Sequence, residues 1–173
     1  KRVVHFQDGS AQAYRSMVST IPLNKIMEMT NLKISAKPDP YTSVLVLNIG
    51  AIRGNSCPYE HWLYIPYSES GFHRVGFYSN VDKSFLPRSS QKTNDRVSIY
   101  VERAYSCNNK PTAKEVEIYT NLVMKELKEW GFIKDAEVLD ATWIDVAYTW
   151  SWPDSKWREQ AIGALKKHNI CQI

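Results

Sequence analysis

Hydrophobic and polar positions in the first third of the chain predict a hairpin, a short helix and a buried strand. Asp8-Gly9 separates two extended runs, and this dipeptide supplies the positive φ angles of a tight hairpin turn. Pro22 is placed to open a short helix with the sequence LNKIMEMT. After a proline-containing connector at 37–40, the run SVLVLNIG is almost continuously apolar. The lack of alternation predicts a strand buried on both faces, as in the centre of a sheet covered by helices.

Three further strands are predicted in the segments HWLYIPY, HRVGFYSN and RVSIYVER. The turn-forming sequence SESG and the polar loop PRSSQKTND separate them, which favours an antiparallel or mixed sheet. Alternation along FHRVGFYSN would place four of its residues on one face: Phe72, Arg74, Gly76 and Tyr78. This face would carry a cation beside aromatic rings, with a gap at the glycine.

The last third of the chain changes to helical spacing. Apolar residues recur with a helical period at Val116, Tyr119, Val123, Leu127 and Trp130. Thr112 and Glu115 have the spacing of a capping box, and Gly131 is placed to end the helix. A strand is predicted at EVLDATWIDVAY, then a helix from about Ser155 to His168, and finally the short run ICQI. Together these elements predict an α+β fold with a mixed, mostly antiparallel sheet covered by helices.

Composition and charge exclude several classes of protein. A chain of 173 residues with 43% hydrophobic residues can bury one good core. Its longest apolar run is too short to span a bilayer, and the N-terminal sequence lacks the apolar core of a signal peptide. We therefore expect a cytoplasmic protein without a membrane span. The net charge is +4 with scattered basic residues, which predicts no nucleic-acid partner but leaves a small anionic ligand open.

Motifs for metal binding and catalysis are absent from the sequence. The cysteines at 57, 107 and 171 are widely spaced, without a CxxC pair or a histidine at zinc-ligand spacing, so we expect reduced thiols and no metal. The sequence has no GxGxxG, P-loop, GxSxG or HExxH motif. We therefore assign no catalytic residue in this chain.

Aromatic and cationic residues form the remaining candidate site. Its members are the segment AYTWSW at 147–152 and Trp62, Tyr64, Tyr67, Phe72, Arg74, Tyr78, Asn80 and Arg103. Ring stacking and two-pronged guanidinium contacts suit a planar or sugar-containing anionic ligand. In the alternative interpretation the aromatic residues form the core, and Arg74 pairs with a carboxylate such as Glu69 or Glu102.

The order of these segments resembles the FAD-containing amine oxidase and protoporphyrinogen oxidase superfamily. The hairpin VVHFQDGSAQAYRSMVSTIPL is similar to a strand-turn-strand segment of that superfamily that ends in a phrase like STIP. The later segments HWLYIPYSESGFHRVGFYSNV, SIYVERAY, LKEWGFI and IDVAYTW resemble, in this order, the UDP-galactopyranose mutase-like branch. The resemblance spans nearly the whole chain.

This resemblance implies that the chain is the inserted substrate domain of a longer flavoprotein. Residues 1–22 would belong to or border the FAD-binding domain, and residues 23–173 would form the substrate-binding domain. A chain that begins with lysine inside a strand and ends on a short apolar run fits an excised piece. The full-length protein would hold FAD in a domain of the same chain, whereas we expect none in this piece alone.

The resemblance also implies a function and a set of site residues. It predicts the substrate-facing part of an amine oxidase-like or protoporphyrinogen oxidase-like oxidoreductase, or of a mutase-like enzyme, with a nucleotide sugar or an amine as substrate. Gly76 would allow close approach of the ligand. Substrate contacts are implied for Arg74, Tyr78, Asn80, Arg103, Tyr64 and Trp62, and cofactor contacts for Thr20 and Pro22. The alternative is a non-catalytic carbohydrate-binding or nucleotide-binding module.

Overall fold

The computed structural model describes residues 2–150 and 152–173. The chain forms two compact units, of which one comprises Lys1–Tyr41 with Thr149–Ile173 and the other comprises Thr42–Tyr148. The predicted boundary at residue 22 concerns the domains of a longer protein and stays a prediction. Ser151, inside the predicted aromatic segment at 147–152, lies outside the described residues.

The regular elements follow one another in an order close to the one predicted. Two short 3-10 helices, Lys83–Phe85 and Arg88–Ser90, lie between α2 and β7. The strands and α-helices are β1 (Val3–His5), β2 (Ala11–Ala13), β3 (Met17–Ser19), α1 (Leu23–Thr30), β4 (Tyr41–Arg53), β5 (Trp62–Tyr64), β6 (Arg74–Phe77), α2 (Tyr78–Val81), β7 (Arg96–Ser106), α3 (Ala113–Glu129), β8 (Ile133–Thr149), α4 (Lys156–Lys167) and β9 (Ile170–Gln172).

The first unit combines the two ends of the chain. β1 and β2 form the predicted antiparallel hairpin, and Gly9 has the expected positive φ of 85°. β3 and β9 pair in parallel. The apolar faces of α1 and α4 pack together around Leu23, Ile26, Trp157, Ala161 and Leu165. The predicted bounds of both helices are confirmed within one residue, and Pro22 is the residue from which α1 begins.

The second unit contains a five-stranded sheet in the order β5-β6-β7-β4-β8. β5, β6, β7 and β4 are antiparallel to their neighbours. β8 follows β4 in the opposite direction, since Ser43 bonds to Asp145 whereas Asn48 bonds to Asp140. The predicted α+β fold with a mostly antiparallel sheet is therefore confirmed.

β6 is shorter than the sequence predicts, and this changes the expected face. The strand covers Arg74–Phe77, whereas Tyr78–Val81 forms a helical turn. The Ser98 N–H of β7 donates to the Ser79 hydroxyl at 3.1 Å, a bond that ties this turn to β7. Phe72 precedes the strand and is buried in the core. The prediction that one continuous strand aligns Phe72 and Tyr78 with Arg74 is wrong.

One face of the sheet packs against α3 and forms the main core. Residues on alternate positions of β4, β6 and β7 meet Tyr119, Val123 and Leu127 of the helix. β4 is buried at every position from Ser43 to Leu47 and then alternates, so the predicted burial on both faces holds for its first half. Such packing removes large apolar side chains from water, and each Å² of apolar surface that is buried stabilises the fold by about 25 cal/mol.

Both ends of α3 carry the predicted caps. The Thr112 hydroxyl accepts from the Glu115 N–H, and the Glu115 carboxylate accepts from the Thr112 N–H at 2.7 Å. At the other end, the Phe132 N–H donates to the Leu127 carbonyl at 3.0 Å. Gly131 has a φ of 70° and completes a Schellman motif. The capping box and the glycine stop are confirmed.

Replacement of Gly131 with valine should lower the free energy of unfolding by roughly 1 kcal/mol or more. A β-branched side chain resists positive φ, and a Cβ would lie 3.2 Å from the Ser56 hydroxyl oxygen. Urea denaturation measures the change. Gly163→Ala in α4 is the matched control, because a Cβ there meets nothing within 4 Å and should raise helix stability. An unchanged midpoint for Gly131→Val would show that the helix does not end in this motif.

Candidate functional site

The sheet face opposite α3 carries polar and aromatic side chains, and we call it the open face. The pairing register places Tyr64, Arg74 and Glu102 side by side across β5, β6 and β7. The next aligned row holds Trp62, Gly76, Tyr100 and Asn48. Because side chains alternate along each strand, these two rows point to the same face.

Arg74 and Glu102 form a two-pronged ion pair on the open face. Nε of Arg74 lies 3.0 Å from Oε2 of Glu102, and Nη2 lies 2.7 Å from Oε1. Hydrogen bonding to Glu102 raises the pKa of the guanidinium further above its already high value. Of the two carboxylates considered as partners of Arg74, Glu102 is therefore the one that pairs with it. Glu69 instead donates its backbone N–H to Glu126. A charge-assisted pair of this geometry fixes the guanidinium plane.

Two tyrosine hydroxyls complete the surroundings of Arg74. Nη1 of Arg74 donates to the Tyr64 hydroxyl at 3.4 Å, and Nη2 donates to the Tyr148 hydroxyl at 3.1 Å. The Tyr64 and Tyr148 side chains belong to residues that are 65% and 44% exposed. A guanidinium, a carboxylate and accessible phenol groups therefore meet at one place on the sheet. We call these four residues the Arg74 cluster.

The gap expected at Gly76 is filled by the protein itself. A Cβ at Gly76 would overlap the ring of Tyr100, which lies across the strand. The Tyr78 ring contacts Tyr100 with centroids 4.6 Å apart and stacks on Phe85 at 5.1 Å. Burial raises the pKa of both tyrosines, so their hydroxyls stay protonated at neutral pH. Tyr78 thus reaches the open face from α2 rather than from β6.

The structure does not bring Arg103 or Asn80 into the Arg74 cluster. Arg103 follows Glu102 in β7, so its side chain points to the α3 side and lies over the rings of Tyr105 and Tyr119. The Asn80 amide donates to the carbonyls of Pro58 and Glu60, both at 2.9 Å. These contacts connect α2 to the loop before β5. Arg103 and Asn80 therefore lie outside the Arg74 cluster, and their predicted substrate contacts stay predictions.

Trp62 and Tyr64 lie on the open face as expected. Both belong to β5, opposite Gly76 and Arg74, and Trp62 is 50% exposed. They form the outer rim of the site, because β5 is the edge strand on this side. Their exposed rings offer a surface on which a planar group can stack.

Thr20 and Pro22, the implied cofactor residues, belong to the first unit. Pro22 is the N-terminal cap of α1, which accounts for its presence structurally. Thr20 borders a cavity of about 480 Å³ inside this unit, together with Tyr14, Ile26 and Met29. A role for either residue toward a cofactor stays a prediction.

Several polar residues of the open face were not recognised from the sequence. The Asn48 amide donates to Asp140 at 3.4 Å, and the Thr142 hydroxyl donates to the same carboxylate at 3.1 Å. These side chains come from β4 and β8, so only the pairing of the strands brings them to this face. A polar residue within an apolar strand was the one available signal, at Asn48 inside SVLVLNIG.

Glu126 positions the loop that joins β5 to β6. Its buried carboxylate accepts from the backbone N–H groups of Glu69 and Ser70 and from the hydroxyls of Ser68 and Ser70. Burial opposes ionisation, but these hydrogen bonds outweigh it and lower the pKa of Glu126. The loop that leads into Arg74 is therefore fastened to α3 from the other side of the sheet.

The described part of the chain lacks two other kinds of feature. Residues 2–150 and 152–173 contain no group of three or more His, Cys, Asp or Glu side chains placed to hold a metal ion. No helix in those same ranges is long and apolar enough to cross a membrane. Cys57, Cys107 and Cys171 are free thiols.

Comparisons with known proteins identify the fold. No family model and no curated protein matches the chain. The chain is similar to a crystal structure of reduced UDP-galactopyranose mutase, with a TM-score of 0.71 and 18% sequence identity. The alignment covers 98% of this chain and 38% of the mutase chain. It is also similar to a crystal structure of a protein assigned as a protoporphyrinogen oxidase from Exiguobacterium sp. 255-15, with a TM-score of 0.61 and 8% sequence identity. That alignment covers 98% of this chain and 40% of the other chain. The chain thus shares the fold of about two fifths of each solved protein.

Gly76→Ala should lower the free energy of unfolding by about 1–3 kcal/mol, because its methyl group must displace the Tyr100 ring. Urea denaturation of Gly76→Ala, Tyr100→Leu and the double variant gives the free energy of unfolding of each, and so the cost of the steric overlap. The smaller side chain of Tyr100→Leu should relieve part of it, so the double variant should be more stable than the sum of the single changes predicts. Strictly additive effects would show that the ring does not occupy this space.

Proposed function

We propose that this chain is the substrate-facing part of a flavin-dependent enzyme and that its open face contacts the substrate. The Arg74 cluster carries this proposal, since it places a guanidinium and two accessible phenol groups on an exposed sheet. The resemblance in sequence order and the shared fold with a UDP-galactopyranose mutase support the enzyme class. Fold alone does not decide function, so the chemistry of the face must carry the assignment.

A nucleotide sugar fits the Arg74 cluster better than an amine does. Arg74 is the more accessible partner of the ion pair, with 23% of its side chain exposed against 11% for Glu102. Nη1 of Arg74 has one long hydrogen bond, to Tyr64, and keeps donor capacity for a phosphate oxygen. The hydroxyls of Tyr64 and Tyr148 can rotate to donate to the same group. A cationic amine would lie beside the positive charge of Arg74, while the Glu102 carboxylate is already paired with that charge.

The ion pair changes how the cluster would bind an anion. Glu102 offsets the charge of Arg74, so the cluster attracts an anion less strongly over distance than a lone arginine would. Its contribution is directional, because Glu102 holds the guanidinium plane and leaves one edge for the ligand. The polar group of Asn48, Asp140 and Thr142 extends this surface with donors and acceptors suited to sugar hydroxyls.

The flavin itself would be held by other parts of the full-length protein. The sequence has no GxGxxG motif, and Pro22 has no backbone N–H with which to bind a phosphate. Pro22 therefore adds no donor to a phosphate cradle, and no step of a reaction is assigned to it or to Thr20. Bound flavin supplies redox or nucleophilic chemistry in such enzymes, and this chain would bind and orient the substrate. We expect the isolated 173-residue chain to carry no FAD.

Variants of the ion pair in the full-length protein test the role of Arg74. Arg74→Ala should weaken binding of UDP-galactose by roughly 1.5–3 kcal/mol, the scale of a charge-assisted hydrogen bond. Arg74→Lys should recover only part of this loss, because an ammonium lacks the two-pronged geometry. Calorimetric titration gives the affinities, and melting curves report the stability of each variant.

Glu102→Gln is the matched control for this experiment. It weakens the ion pair but keeps the guanidinium charge, so it should lower the melting temperature and should reduce affinity for UDP-galactose less than Arg74→Ala does. If Arg74 is only structural, both Arg74→Ala and Glu102→Gln lower stability, and neither changes affinity in the folded protein. That result would remove Arg74 from the substrate site.

A further inference from the structure

A second cavity lies on the α3 side of the sheet, away from the open face. It has a volume of about 370 Å³ and lies between the loop after β7 and the first turns of α3. This size falls within the range of small-molecule sites. Its lining includes Arg103, Tyr105, Lys110, Ile118, Tyr119 and Leu122.

Arg103 has few polar contacts for a partly buried guanidinium. Its carbon Cζ lies 5.2 Å from the centre of the Tyr105 ring and 5.0 Å from that of Tyr119. Nη1 donates to the Ser70 carbonyl at 3.5 Å, the limit for a hydrogen bond. Within residues 2–150 and 152–173 no carboxylate forms an ion pair with it. A guanidinium has five N–H donors, so most of those of Arg103 have no acceptor within the described part of the chain.

Tyr119 supplies an independent sign of an unfilled polar contact. The residue is 2% exposed, and its hydroxyl has no hydrogen-bond partner in the described part of the chain. Buried hydroxyls are seldom left unpaired in folded proteins, and an unplaced ion or ligand is one common reason. Burial raises the pKa of this phenol, so it stays a donor at neutral pH. The Arg103 guanidinium and the Tyr119 hydroxyl can both donate further hydrogen bonds to an acceptor. Both residues line the cavity.

The other residues that line the cavity indicate which chemical groups a ligand would have besides the hydrogen-bond acceptor. Lys110 adds a second cation, while the carboxylate of Glu115 is occupied by the cap of α3. Ile118 and Leu122 are about half exposed on one side of the helix and form an apolar wall. An oxyanion with an attached apolar group would satisfy both parts of this surface.

We propose that this cavity binds a small organic anion, whose carboxylate or phosphate group contacts Arg103 and Tyr119 while its apolar body lies on Ile118 and Leu122. The site is separate from the Arg74 cluster, because Arg103 and Glu102 are neighbours in β7 and point to opposite faces. It does not depend on the proposed enzyme function.

Titration of the full-length protein with benzoate, phenyl phosphate and inorganic phosphate at constant ionic strength tests the site. Ligand-detected NMR gives the affinities. At least one of the two aromatic anions should bind saturably, and more tightly than inorganic phosphate, which lacks the apolar body. The one that binds better identifies the carboxylate or the phosphate as the preferred group. Absence of saturable binding for both, or tighter binding of inorganic phosphate, would overturn the proposal.

Three variants and one control assign the binding to these residues. Arg103→Gln should weaken it at least tenfold, with Arg103→Lys intermediate, and Tyr119→Phe should weaken it several-fold. Tyr119→Phe should also keep or raise the melting temperature of the free protein, because it removes an unpaired buried hydroxyl. Arg88→Gln, at an exposed site outside the cavity, should change nothing. Equal affinity in wild type and Tyr119→Phe, or equal losses in Arg88→Gln and the Arg103 variants, would contradict the assignment.

Discussion

The pairing register between β6 and β7 determines which side chains can meet. Arg74 lies opposite Glu102, and Val75 lies opposite Val101 in the next row. A slip of one residue would turn the fully buried Val75 to the open face and drive Arg74 toward α3. The cost of exposing apolar side chains and burying the cation therefore fixes the register. The packing of the core on α3 is thus what assembles the Arg74 cluster on the opposite face.

The same alternation separates the two proposed sites. Glu102 and Arg103 are consecutive, so one belongs to the open face and the other lies between aromatic rings on the α3 side. Glu126 links the two sides, because it fastens the loop whose end leads into Arg74. A sheet with one covered face and one accessible face can in this way hold two binding surfaces of different chemistry. The open face combines an ion pair with phenol groups, whereas the cavity combines a cation that has no ion-pair partner among the described residues with an apolar wall.

Local signals in the sequence predicted α1, α3, α4 and the β1-β2 hairpin well, because caps and turns depend on neighbouring residues. Thr112, Glu115 and Gly131 are examples in which residue type dictates local geometry. The site was harder to predict, since it depends on which strands pair and in what register. The side of the sheet on which Arg103 lies, and the use of the Gly76 gap by Tyr100, both follow from pairing between distant segments. The sequence grouped Trp62, Tyr64 and Arg74 and named Glu102 as one of two candidate partners of Arg74, but only the strand register shows that the ion pair with Glu102 forms.

The visible absorption spectrum of the full-length protein shows whether this chain belongs to a flavoenzyme. We expect the spectrum of a bound flavin, and we expect UDP-galactose to perturb this spectrum if the substrate binds beside the cofactor. Arg74→Ala should keep the flavin spectrum but require more UDP-galactose to reach the same perturbation. A colourless full-length protein that still binds UDP-galactose would contradict the proposed flavoenzyme and would favour a non-catalytic binding module.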